Sequence, residues 1–224
     1  MLYFLVSGCL QPLFARALFY EGITRMGVSR AGPLRGSEPF FAAAIAVIFL
    51  HERPGVAVYA GTVLIVASVW AVSWGQQGQA NWRFMDIAFP IGAALISAVS
   101  QSLRKQGLNI LPDPFVATAT VTTTSLVLLL AFIVMTKRTK LFRMDRSSLL
   151  LFVTAAFIAM SAQILNFVAI GQGELSAIIP LLNTTPLFTV LFSSLFLRAV
   201  ETLSTRIVLG AMLMVGGVLL ITTR

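Results

Sequence analysis

The sequence predicts an all-α integral membrane protein with about eight transmembrane helices, and three observations carry that reading. Of 224 residues, 58% are hydrophobic and 11% charged, with a mean hydropathy of +0.91. Soluble domains run at about 45–50% apolar and about 25% charged, so this chain is neither a water-soluble globule nor a disordered one. The apolar residues also gather into segments of about 20, the length that crosses hydrocarbon. Finally, the connections are short and rich in turn residues, leaving no room for a sizeable soluble domain. Backbone groups inside a bilayer must be satisfied within the segment, so spans of this length are helices.

The segments run over residues 2–20, 29–50, 55–74, 84–103, 115–136, 149–170, 175–197 and 207–223. In the first, Val6-Ser7-Gly8-Cys9 has the small residues of a lipoprotein cleavage site. Its apolar lead is too short and no basic region precedes it, so it reads as a span rather than a cleaved signal. The second is atypical, because Arg30, Arg35 and Glu38 interrupt it before the turn Glu52-Arg53-Pro54-Gly55. The third and fifth carry no charge. The third ends at Gly75-Gln76-Gln77-Gly78; the threonines of the fifth (Thr118, Thr120, Thr122, Thr123, Thr124) point in several directions. The fourth bears a polar stripe of Ser97, Ser100 and Gln101, and Arg104 and Lys105 fall to the connection that leads into Leu111-Pro112-Asp113-Pro114. The sixth ends at Gly171-Gln172-Gly173.

Charge and chemistry exclude several classes. Net charge is +8, from 16 Lys and Arg against 8 Asp and Glu. The basic residues lie mostly between apolar runs, densest at Lys137, Arg138, Lys140, Arg143 and Arg146 with Asp145 among them. There they set topology and meet lipid headgroups, so the expected partner is the bilayer and not nucleic acid. The arginines of alternate loops and the resemblance described below imply opposite orientations, and the orientation stays open. A single cysteine, Cys9, excludes an internal disulfide and a cysteine-based metal cluster. A single histidine, His51, leaves no Ser-His-Asp arrangement and no histidine metal site, and no Gly-x4-Gly-Lys loop occurs. The chain is therefore expected to be neither an enzyme nor an ATP-driven pump, and to need no cofactor or metal.

Internal repetition is the most informative feature. At an offset of 147, Ser29 falls on Ser176, Pro33 on Pro180, Pro39 on Pro186 and Phe41 on Phe188. At 149, Glu52 falls on Glu201 and Gly61 on Gly210. Matching segments lie five spans apart, an odd number, so the copies face opposite ways across the membrane. Inverted repeats mark secondary transporters, whose substrate site lies near the midplane. The first copy, 1–80, has three helices and the second, 81–224, has five, so the first repeat is incomplete by two leading helices (3+5).

The stretch from Ser29 to Pro39, the glutamate after Phe49-Leu50, Gly61 and the closing Gly216-Gly217-Val218 resemble the EamA-type branch of the drug/metabolite transporter superfamily. The resemblance spans nearly the whole chain, starting at the family's third helix. It implies inverted five-helix repeats and movement of small metabolites into or out of the cell.

An ionisable group within a span is a functional candidate by default, since hydrocarbon makes it expensive. Arg35 and Glu38 share a helix face between Pro33 and Pro39. They are read either as an anion-binding arginine with a proton-accepting glutamate, or as a self-neutralising pair that holds the bundle together. Arg35, Gly36, Ser37 and Glu38 in the first copy correspond to Leu182, Asn183, Thr184 and Thr185 in the second. The substrate-binding candidates are Arg16, Tyr20, Arg35, Glu38, Gln101, Gln163, Asn166, Asn183 and Thr184. Glu52 and Glu201, which begin the final helices of their copies, are read as charges at helix N-termini.

The expected function is secondary transport of small organic metabolites or drugs across the inner (plasma) membrane by alternating access, coupled to a proton or counter-solute. The alternative is a truncated, non-transporting membrane protein or a subunit that borrows helices from a partner.

Overall fold

A computed structural model describes residues 1–73, 83–136, 146–184, 188 and 205–223. The described residues are mostly helical, with short connections between helices and no strand among them. In chain order they form α1 (Leu2–Gly8), α2 (Ala15–Met26), α3 (Val28–Arg35), α4 (Glu38–Phe49), α5 (Val56–Ser73), α6 (Ala88–Ile110), α7 (Pro114–Met135), α8 (Arg146–Gln172), α9 (Leu175–Leu182) and α10 (Thr205–Thr222). Four stretches among the described residues are long and apolar enough to cross a bilayer: Leu2–Met26, Phe84–Ile110, Pro114–Met135 and Leu149–Gln172. Glu38–Phe49, Val56–Ala71 and Met212–Thr222 are shorter apolar helices.

Several segments differ from their expected bounds. The first continues to Met26 and is bent within Cys9–Phe14, where Gln11 (φ −139°, ψ 131°) is extended. Pro12 is the reason: its ring crowds the preceding residue out of the helical region. Gly27, at φ 82°, makes the turn from α2 into α3, a conformation that a side chain would strain. The second segment is two helices rather than one, separated at Gly36 and Ser37. The fourth runs on to Ile110, so Arg104 and Lys105 belong to α6 and not to a loop. The basic cluster between the fifth and sixth segments, Glu201, and the seventh segment beyond Thr184 apart from Phe188 lie outside the described residues.

Helix α6 is the hub. It packs against α1, α2, α3, α4 and α8. The core beside it is built largely from small residues, Ala42, Ala46, Ala98 and Ala117, with Phe4 and Phe167 meeting edge to face at 6.3 Å. Water gives helices in lipid no reason to associate, so close van der Waals contact over small side chains takes over. The outer surface is apolar in turn: Leu150, Phe157 and Ile158 on α8 are each more than 60% exposed. Helix α5 makes its most extensive contact with α10. Gly61 lies against Ile221 and Gly217 against Ile65, so the two run antiparallel. At this crossing an added Cβ on Gly61 would come within 2.6 Å of the Gly217 carbonyl.

Two charged side chains tie the helix ends on one side. The Glu52 carboxylate accepts from the Leu175 and Ser176 backbone N–H groups at 2.8 and 3.0 Å. It thus caps α9, not the helix it precedes, and links the two halves of the sequence. His51, at φ 55°, turns the chain so that Glu52 can reach. Lys105 Nζ donates to the Ile170 and Gly173 carbonyls at 2.9 and 2.8 Å, satisfying the C-terminal end of α8.

Gly61→Val should lower thermal stability in detergent by the equivalent of about 1–3 kcal/mol through overpacking. Gly32→Ala, which meets nothing within 4 Å, should cause no loss. Glu52→Ala should cost about 1–2 kcal/mol through the lost cap, while Glu52→Asp keeps part of it. Melting curves of the purified variants measure all four.

Candidate functional site

The break between α3 and α4 places opposite charges at opposite half-helix ends. Arg35 lies in the last turn of α3, where free carbonyls favour a cation. Glu38 lies in the first turn of α4, where free N–H groups favour an anion. Pro39, in that first turn, forfeits no helical hydrogen bond. The two side chains meet: Arg35 Nη1 donates to Glu38 Oε2 at 2.5 Å. Arg35 Nη2 also donates to Ser97 Oγ at 2.7 Å. Ser97 is fully buried and is the middle residue of the span Phe84–Ile110, so this pair sits at mid-depth. The Glu38 side chain is 7% exposed and that of Arg35 20%.

The polar stripe on α6 continues from there. Ser97, Gln101 and Arg104 follow one another at single-turn intervals, which puts Arg104 about 10 Å along the helix from Ser97. Arg104 is 2% exposed. Its Nε donates to Ser7 Oγ at 2.9 Å, its Nη1 to Gln101 Oε1 at 3.4 Å and its Nη2 to the Gln11 carbonyl at 3.4 Å. The Phe167 ring lies 5.1 Å below the guanidinium. The Ser7 and Ser100 hydroxyls are 2.9 Å apart, which completes a chain of polar contacts between α1 and α6. The bend at Gln11 is what releases the carbonyl that Arg104 uses.

The structure brings together three of the expected residues, Arg35, Glu38 and Gln101, along this face of α6. Gln163 and Asn166 are half-buried on α8, and the Asn166 side-chain oxygen is buried without a hydrogen-bond partner. Asn183 and Thr184 close the end of α9 on their own backbone, donating to the Ile179 and Leu181 carbonyls at 2.9 and 2.7 Å. Arg16 and Tyr20 are exposed on α2, Tyr20 by 61%, apart from the buried stripe. Arg16 is exposed, whereas Gln163, which falls on it at the offset of 147, is half-buried. Thr185 lies outside the described residues. The residues that sequence reasoning missed are Arg104 and Ser7. The signal for Arg104 was available: it extends the Ser97–Gln101 stripe by one turn, but a segment ended at residue 103 hides it. Ser7 offered no such signal, because its role depends on how α1 lies across α6. The threonines of α7 bond their own helix, Thr118 to Pro114, Thr120 to Val116, Thr122 to Thr118 and Thr124 to Thr120.

Apolar helices that span a bilayer, one interrupted at mid-depth around buried charges, define a polytopic membrane protein of the transporter kind. Residues 1–74 and 84–223 match the EamA-like transporter family, and the chain belongs to that family. Its members are drug and metabolite transporters rather than enzymes, which makes this a multi-pass protein with a role in membrane transport. A solved crystal structure shares the fold, with a TM-score of 0.77 at 16% identity over 98% of this chain and 74% of that one. No curated protein matches the sequence.

Removing one partner of a buried ion pair leaves a charge stranded, at a cost of about 3–5 kcal/mol, whereas replacing both with apolar residues is close to neutral. Glu38→Met alone should therefore destabilise the protein strongly. The double variant Arg35→Met/Glu38→Met should recover most of the loss in a melting experiment.

Proposed function

We propose that the chain is a secondary transporter of small organic metabolites or drugs across the inner (plasma) membrane. It works by alternating access between a first repeat in residues 1–80 and a second in residues 81–224. The observation that carries the reading is the interrupted helix at mid-depth with Arg35 and Glu38 on either side of the break. The helix bounds support the repeat. Shifted by 147, Val28–Arg35 becomes the range of Leu175–Leu182; shifted by 149, Val56–Ser73 becomes that of Thr205–Thr222. The antiparallel crossing of α5 and α10 is also what an inverted pair requires.

The solute would be a small molecule with hydrogen-bonding groups, met by Gln101, Gln163, Asn166, Asn183 and Thr184 as well as the charged pair. Glu38 is the carboxylate for coupling. On taking up a proton it would release Arg35, and the two half-helices would no longer be held together by charge. A counter-solute carrying a negative group would break the pair in the same way.

Uptake and efflux in vesicles reconstituted with the wild type and with Glu38→Gln test this directly. The variant should transport at least tenfold more slowly under a proton gradient, with a flattened pH profile. Unchanged rates with an unchanged pH profile would remove Glu38 from the mechanism.

A further inference from the structure

The Arg35–Glu38 pair neutralises itself, but Arg104 is left over. Counting the three charges along this face of α6 gives two cations, Arg35 and Arg104, against one anion, Glu38, a surplus of one positive charge. The nearer claim on Glu38 belongs to Arg35, at 2.5 Å. Among the described residues no carboxylate lies within ion-pair distance of Arg104. Glu38 acts on it only from beyond that distance, and a desolvated guanidinium with no counter-charge in contact is expensive wherever the dielectric is low.

Hydrogen bonding leaves the same residue incomplete. A guanidinium carries five N–H donors in a planar fork. Arg104 spends three of them, all on neutral acceptors, and both Nη contacts are long at 3.4 Å. Phe167 covers a face of the group, and two of its five N–H donors have no acceptor among the described residues. Beside it, Gln11 lends its backbone carbonyl to Arg104 while its own side-chain oxygen is buried without a partner. An amide can turn its NH₂ end toward an anion as readily as its oxygen.

We propose that Arg104 is the docking group for the carboxylate of an organic solute, seated between α1, α6 and α8 and about two turns along α6 from the Arg35–Glu38 pair. A carboxylate meets the guanidinium edge with two parallel hydrogen bonds and supplies the missing negative charge, which a spherical anion cannot do with the same geometry. Arriving there, it adds a second anion to the field in which the Arg35–Glu38 pair sits. The inference deepens the transport reading, which supplies the route by which the anion enters and leaves.

The test pairs amino acids, hydroxy acids and dicarboxylates with their methyl esters and amides. Thermal stabilisation of the purified full chain reports binding, and counterflow in reconstituted vesicles reports exchange. At least one carboxylate should bind about tenfold or more tightly than its ester, the worth of a charge-assisted hydrogen bond. Arg104→Gln should abolish that preference. Arg104→Lys keeps the charge without the fork; it should retain ester binding and weaken carboxylate binding about tenfold, and it decides the matter if Arg104→Gln does not fold. Equal binding of acid and ester, a preference that survives in Arg104→Gln, or stabilisation by chloride, inorganic phosphate or anionic lipid in place of carboxylates would overturn the proposal. Arg104-dependent carboxylate binding without exchange of any solute would uphold the site and remove the transport reading. Exchange of esters and amides without acid preference would do the reverse.

Discussion

Charge in hydrocarbon has to be answered locally, and the interior of this protein is organised around that requirement. The Arg35–Glu38 pair is tolerable at mid-depth because each member has two compensations, the other's charge and the end of a half-helix. The break at Gly36 and Ser37 is thus more than an interruption. A continuous helix would offer neither a C-terminal end to Arg35 nor an N-terminal end to Glu38. Ser97 then fastens the pair to α6 through the second Nη of Arg35.

Helix α6 extends this arrangement because its face is polar over several turns while its neighbours are apolar or small. Arg35 approaches it from α3, Ser7 from α1 and Phe167 from α8. The groups at the helix ends have a different task. Glu52 and Lys105 both bind the backbone around the α8–α9 connection, one at N–H groups and the other at carbonyls. On the opposite side Arg25 joins Glu21 and Asp86, at 2.7 and 3.3 Å, and stacks on Phe89 at 4.4 Å. These surface clusters fix where helices begin and end, and they leave the buried stripe as the one place where charge and depth coincide among the described residues.

Much of this was legible beforehand because hydrophobic length is a local property. Runs such as 115–136 and 55–74 announce helices without reference to anything else, and their bounds moved by a residue or so. Arg35 and Glu38 were legible for the complementary reason: a charge inside such a run has no harmless explanation. Arg104 was passed over despite its place one turn beyond Gln101, because a basic residue near the end of an apolar run resembles every loop arginine that marks topology. Glu52 was half legible. Its role as a helix cap followed from its position before a helix, yet the helix it caps is α9, whose first residue, Leu175, lies 123 residues further along the sequence.

By itself, then, the sequence determined an all-helical membrane protein, its family resemblance, and the two charges that could not be left without partners. Composition and segment length suffice for that, since the bilayer imposes the same demand on every backbone group. Only the tertiary structure decided which polar residues share a site. Arg16 and Tyr20 turn outward while Ser7 turns inward to meet Arg104, and nothing in their local sequence distinguishes the two cases. The difference lies in which face of each helix meets α6, and that is set by contacts between segments far apart in the chain.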